Sequence, residues 1–272
     1  MTQRHVHLLS DSTGETLDTI AKAGLSQFEG MEVVRHFWPM VRSEGHLNRV
    51  LAEVANHPGL VLYTIVNPDM RARLEARLAA MNLPSVSPLD PVFDAMSALL
   101  GKEAKPRPGR QHVLDAAYFA RVEAIHYTMA HDDGLGAEDW EEADIVLAGV
   151  SRSSKTPTSI YLANRGYRTA NVPLVRESPP PRSLFTLKRP LVVGLTTTAD
   201  RLVQIRRNRL LSLNQEPTAY VDQGEVAGEL AFARRLFADN DWPVIDVTRR
   251  SIEESAAAII SIYNERRGGG SA

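Results

Sequence analysis

Residues 144–157 read Asp-Ile-Val-Leu-Ala-Gly-Val-Ser-Arg-Ser-Ser-Lys-Thr-Pro, and this stretch restricts the fold more than any other. Asp144 to Val150 is a short apolar run rich in β-branched residues, which reads as a strand. It runs into a loop of small residues. Pro157 then suits the first turn of a helix through Thr158, Ile160, Tyr161 and Asn164, which Gly166 ends. From Gly149 the spacing is G-x-x-x-x-S-K-T, one residue from the phosphate-binding pattern G-x-x-x-x-G-K-[ST], with Ser154 in place of the second glycine. A glycine there lets backbone N–H groups close around phosphate oxygens at φ values a side chain resists, so Ser154 either accepts strain or takes another loop path. Gly149, Val150, Ser151, Arg152, Ser153, Ser154, Lys155 and Thr156 form the candidate phosphate cradle. Lys155 would supply a point charge, Thr156 a hydroxyl for Mg²⁺, and the helix N-terminus its dipole. The same residues also fit a serine-rich turn whose lysine is merely solvated.

The rest of the chain repeats the strand-then-helix rhythm. Val6 to Leu9, Val33 to Trp38 and Leu60 to Val66 read as strands, and a further one is expected near Val86. Between them, Ser12-x-x-Glu15 has capping-box spacing before a helix with Leu17, Ile20, Ala21, Gly24, Leu25 and Phe28 on its apolar face. Leu47, Val50, Leu51 and Val54 mark a second helix, and Asn67-Pro68 starts a third. Such alternation predicts an α/β protein with parallel sheets covered by helices, because parallel neighbours require crossover connections. After a helix from Val92 to Leu100, the charged, Pro/Gly-rich segment Lys102 to His112 marks a domain boundary. The expectation is an N-terminal parallel-sheet α/β domain over 1–105 and a P-loop kinase-like α/β domain over 106–272.

The second domain opens with a long helix, Leu114, Tyr118, Val122, Ile125 and Met129 being expected on its buried side, and ends that helix in His131-Asp132-Asp133-Gly134. Beyond the cradle, Thr169 to Val175, Leu191 to Leu195, Thr218 to Val221 and Trp242 to Val247 read as extended. Asp200 to Leu211 and Glu225 to Phe237 read as helices, and Ser251-x-x-Glu254 caps a final helix with Ile252, Ala256, Ile259, Ile260 and Tyr263. The prolines 179–181 belong to a surface loop. No internal repeat stands out at a fixed period.

Composition excludes several functions. The 272 residues hold 31 Lys plus Arg against 33 Asp plus Glu, so no overall field recruits nucleic acid or an anionic membrane. The absence of cysteine removes disulfides, thiolate catalysis and Cys-ligated zinc. No histidine spacing resembles a zinc motif. Without an apolar leader region or a membrane-length apolar run, a cytoplasmic location is the expectation.

Phosphoryl transfer also needs a group for the acceptor's proton. Asp132 and Asp133 lie at a helix end, against its negative pole, an unfavourable place that a cation or proton would relieve. A solvated helix terminus is the alternative. His131 beside them is a ligand, a proton carrier or a structural residue. Arg206, Arg207 and Arg209 gather positive charge on one helix, for phosphate, for an acidic partner, or simply as a solvated face. The Ser10 to Glu15 turn also has the form of an anion-binding strand-to-helix junction, although its capping box accounts for the residues without a ligand. The apolar C-terminal helix suits an interface between two copies as well as a core, which keeps a homodimer open.

The stretch Gly149 to Gly166, the following Thr169-Ala-Asn-Val-Pro-Leu-Val175, the His131 to Gly134 turn, the Gln204-Ile-Arg-x-x-Arg-Leu210 segment and Trp242 to Thr248 together resemble one family. It comprises the bacterial and plant pyruvate, phosphate dikinase regulatory proteins and their phosphoenolpyruvate synthase counterparts. The resemblance covers nearly the whole chain. Ser154 is the family's own residue, and Ser153 stands where the family has threonine. The resemblance implies a bifunctional enzyme. In one direction ADP donates a phosphoryl group to a threonine of the target dikinase or synthase and inactivates it; in the other, inorganic phosphate removes that group and pyrophosphate leaves. On this reading Asp133, chosen over Asp132, handles the threonine proton. Lys155 and Thr156 hold phosphate and Mg²⁺, and Arg206 with Arg209 makes a weaker phosphate or target contact. Target docking is the expectation for the first domain. A nucleotide-sensing regulator that acts by binding alone is the alternative, and a P-loop kinase of small molecules a third.

Overall fold

The computed structural model describes residues 3–103, 116–213 and 219–268. Leu114, Thr218, most of the Lys102 to His112 segment and the tail after Gly268 lie outside them. The chain divides into two compact units, Met1–Val113 and Leu114–Ala272.

In the first unit, β1 (Arg4–Ser10), β2 (Val33–Trp38), β3 (Leu60–Thr64) and β4 (Ser85–Val86) form a parallel sheet in the order β2-β1-β3-β4. Helices α1 (Glu15–Leu25), α2 (Glu44–Asn56), α3 (Pro68–Ala80) and α4 (Asp90–Leu100) make the connections. Alternation along β1 separates two cores: Val6 and Leu8 pack with Leu17 and Ala21 of α1, while Leu9 joins Leu47, Val50, Leu74 and Leu78 of α2 and α3. Ser43 and Asn67 cap α2 and α3 through the amides of His46 and Met70. The expected capping box at Ser12 does not form. Gly14, left-handed at φ 79°, is the N-cap of α1 and contributes no side chain. A side chain there would collide with Phe37, a Cβ falling 2.7 Å from its ring. The helix also ends at Leu25, leaving Phe28 exposed.

The second unit repeats the topology. Strands β5 (Ile145–Gly149), β6 (Thr169–Pro173), β7 (Leu191–Thr196) and β8 (Val244–Asp246) run parallel in the order β6-β5-β7-β8. The helices are α5 (Ala116–Ala130), α6 (Lys155–Asn164), α7 (Ala199–Ser212), α8 (Gln223–Asp239) and α9 (Ile252–Gly268). Ile145 and Leu147 pack against Leu162 of α6 and Ile259 of α9, whereas Ala148 packs with Leu202 of α7 and Leu230 and Phe237 of α8. Each fully buried Leu or Ile contributes roughly 1.5–3 kcal/mol by leaving water. Strand order reverses between β5 and β7, and in such sheets the crevice beyond the strands' carboxyl ends is where ligands bind. The loop after β5 lies there.

Two local expectations change, and one open alternative narrows. The buried side of α5 is formed by Ala124 and Thr128, not by Tyr118 or Met129, both of which are exposed. Ala219–Val221 is a short 3₁₀ turn rather than extended chain. The apolar stripe of α9 is absorbed by the core, where Ala256, Ile259 and Tyr263 are buried.

Candidate functional site

Gly149 ends β5 where the backbone of β7 passes closely. A Cβ at this position would fall 2.8 Å from the Leu195 carbonyl oxygen and 2.7 Å from Ser153 Oγ. The loop then closes on the Val150 carbonyl, which accepts from the Ser153 hydroxyl at 2.9 Å and from Lys155 Nζ at 3.0 Å. Arg152 and Ser154 both take left-handed backbone, at φ 69° and 64°. Ser154 therefore adopts, with a side chain, the conformation for which the related pattern uses glycine; this costs roughly 1–2 kcal/mol. The conformation turns the chain into α6, whose first-turn N–H groups face the loop.

Lys155 is 5% exposed. Burial lowers its pKa to about 8, against the opposing pull of Asp133 and Asp132, whose negative charges favour the ammonium form. These two aspartates, distant in sequence from Lys155, thus share its electrostatic environment.

Thr156 donates its hydroxyl to Asp132 Oδ1 at 2.9 Å. Asp132 also accepts from Asn171 Nδ2 at 2.5 Å. Asp133 is exposed, with left-handed backbone at φ 51°, and its amide donates to Asn171 Oδ1 at 3.2 Å. Asn171, fully buried on β6, is a functional candidate that sequence reasoning missed. Its signal was an amide set in an apolar strand, Thr-Ala-Asn-Val-Pro.

His131 is packed rather than presented. Its ring stacks on Tyr127 with centroids 3.8 Å apart, and Nδ1 lies 2.6 Å from the Tyr127 carbonyl oxygen. With Nδ1 as donor, Nε2 is a buried acceptor without a partner.

The arginines of α7 divide. Arg209 and Arg207 are exposed. Arg206 is wholly buried, donating twice to Glu229 and to the carbonyls of Tyr220 and Ser151 at 3.0 and 3.3 Å. Its guanidinium lies 4.3 Å from the Tyr220 ring centroid, and the Tyr220 hydroxyl is 3.0 Å from Ser151 Oγ. Arg206 touches the cradle from behind, through the backbone of Ser151.

Among the described residues, no group of three or more His, Cys, Asp and Glu is disposed to hold a metal ion. A hard divalent cation that takes one carboxylate, one hydroxyl and the oxygens of its phosphate ligand needs no such cage, and the Asp132–Thr156 pair suits it. No helix among the described residues is long and apolar enough to cross a membrane.

The family profile described as kinase/pyrophosphorylase matches residues 6–260. A protein of Rhizorhabdus wittichii is 73% identical over 98% of this chain and 97% of its own length. A Novosphingobium aromaticivorans protein is 69% identical over 99% of this chain and 97% of its own, and one from Bradyrhizobium diazoefficiens 54% over 97% and 95%. All three carry the provisional name of pyruvate, phosphate dikinase regulatory protein. By profile and by identity alike, this chain belongs to the kinase/pyrophosphorylase family.

Proposed function

We propose that the chain phosphorylates a threonine of a pyruvate, phosphate dikinase at the expense of ADP, and reverses that modification with inorganic phosphate. The observation that carries the reading is the hydrogen bond from Thr156 to Asp132, together with the pull of Asp133 and Asp132 on the buried Lys155 of the loop at the strand-order reversal, in a member of a kinase/pyrophosphorylase family. The relatives' names favour the dikinase over phosphoenolpyruvate synthase as target. Target docking is the role proposed for the first unit.

In the kinase direction, the cradle amides from Val150 to Thr156 and the Lys155 ammonium hold the ADP phosphates. Asp133 accepts the threonine proton as its oxygen bonds to the β-phosphorus; the bond from that phosphorus to the bridging oxygen breaks, and AMP leaves. In the other direction phosphate occupies the cradle and its oxygen attacks the phosphothreonine phosphorus. Asp133 returns a proton to the departing threonine oxygen, and pyrophosphate leaves. Thr156 and Asp132 would hold Mg²⁺, which supplies charge neutralisation at the phosphoryl oxygens when bound. The exposed Arg209 stays a candidate for phosphate or target contact, and Arg206 is assigned to bracing Ser151 instead.

Incubating the chain with dikinase and ADP should yield phosphothreonine and AMP with loss of dikinase activity. Adding phosphate in place of ADP should restore that activity and release pyrophosphate. Association with the dikinase that leaves its threonines unmodified would sink the reading in favour of a binding-only regulator.

A further inference from the structure

Asn171 sits on an edge strand between the buried Ala170 and Val172. An apolar residue would suit that place better, since a buried amide is unfavourable unless its donors and acceptors are matched. Its groups are matched, almost wholly by one turn. The backbone N–H donates to the His131 carbonyl at 3.1 Å, and its carbonyl accepts from Gly134 at 2.8 Å. Any residue but proline could make those two bonds, which cover the otherwise open edge of β6. The side chain adds the two that only an amide makes together: Oδ1 accepts from the Asp133 amide, and Nδ2 donates to the Asp132 carboxylate. A longer contact from Nδ2, at 3.4 Å, reaches Ser159 Oγ on α6.

The result is an asymmetry between neighbouring carboxylates. Asp132 Oδ1 is engaged by both Asn171 and Thr156. The Asp133 carboxylate makes no hydrogen bond to the described residues, and its exposed side chain leaves a backbone whose left-handed turn is held by Asn171.

We infer that Asn171 is a positioning residue that divides the work of the two carboxylates, holding Asp132 against Thr156 and leaving Asp133 open to the acceptor hydroxyl. This rests on the phosphoryl-transfer reading above. Asn171 touches no reacting atom in that scheme. Its side chain sets where Asp133 stands, and displacement of a catalytic group by about 1 Å can reduce rate about 10²-fold.

The test measures kcat in both directions and the dissociation constant of ADP for Asn171→Ala and Asn171→Ser, alone and combined with Asp133→Asn. A fall in kcat of about 10²-fold, with ADP affinity within about threefold, is expected for either folded single variant. In the Asp133→Asn background the second change should remove clearly less than it does alone, because of the two carboxylates it positions only Asp132 then remains. Loss of ADP affinity as large as the loss of kcat, or a fully multiplicative double variant, would reduce Asn171 to a structural residue. Amide exchange of Asp133 in the unaltered chain gives a reading that needs no variant: slow exchange is expected, and free exchange overturns the clamp. An unaltered chain that leaves threonine unmodified overturns the phosphoryl-transfer reading and this inference with it. An active chain whose Asn171 variants match it overturns this inference alone.

Discussion

Lys155 holds its charge in a place that resists charge. Burial lowers its pKa to about 8 while the two aspartates oppose the shift, so at neutral pH the ammonium persists and bonds the Val150 carbonyl. On the proposed function it is the protonated form that would hold phosphate. Affinity of the free protein for ADP should therefore be steady below about pH 8 and fall by up to about tenfold per pH unit above it. Titration calorimetry across pH 7–10 would show this limb, and Lys155→Ala should remove it together with about 10²–10³-fold in kcat. A limb that survives in the variant would assign it to another group. Next to it, Ser154 bears a left-handed backbone. Ser154→Gly removes that strain, about 1–2 kcal/mol, and partly offsets the gain by loosening the unfolded chain. A net stabilisation of about 0.5–1 kcal/mol should appear in the denaturant midpoint, and destabilisation would contradict the strain.

Among the elements, the best-read ones were those whose signals are local. Ser251 and Glu254 form the reciprocal capping box that their spacing predicts, with both bonds in place at 2.8 and 3.1 Å. Ser12 and Glu15 have the same spacing and fail, because Gly14 and its contact with Phe37 set the start of α1. That contact joins residues far apart in sequence, beyond the reach of a four-residue pattern. Periodicity likewise found α5 but misjudged its buried side, since Ala124 and Thr128 carry little hydrophobic signal. The cradle was legible as a strand, loop and helix with Lys155 and Thr156 in order; the Asn171 clamp was not, because it depends on the edge of β6 meeting the end of α5. Charge misled in α7, where Arg206 reads as one of a basic cluster and proves to be the buried tie between α7, α8 and the Ser151 backbone. Removing one member of a fully buried pair typically costs about 3–5 kcal/mol, and less is expected here because the Glu229 side chain is 25% exposed. Arg206→Ala should lower the urea midpoint of the second unit accordingly and weaken ADP binding through the loop. A loss under about 1 kcal/mol would deny the brace.

For the whole molecule, the same strand order recurs in both units without a sequence repeat that reveals it. The sheet of the first unit carries a group of imidazoles at one end. His7 is fully buried, its Nε2 donating to the His57 carbonyl at 2.8 Å and its Nδ1 accepting from Trp38 Nε1 at 3.3 Å. Those bonds specify the neutral ring, since a proton on Nδ1 would oppose the Trp38 donor. His5, His36 and His57 surround it, and Glu53, beside His57, is the acidic group in reach. Burial first, and then the neighbouring imidazoles, lower the pKa of His7; burial likewise lowers that of His36. The unfolded chain therefore binds protons below about pH 6.5 that the folded unit refuses. Stability should be level above that value and decline as pH falls toward the lower folded pKa, at up to about 1.4 kcal/mol per pH unit for each such group. Melting of the unaltered chain and of His7→Gln between pH 7.5 and 5 separates this from general acid lability. The variant has a lower baseline but should show a shallower slope, and parallel slopes would remove His7 from the account.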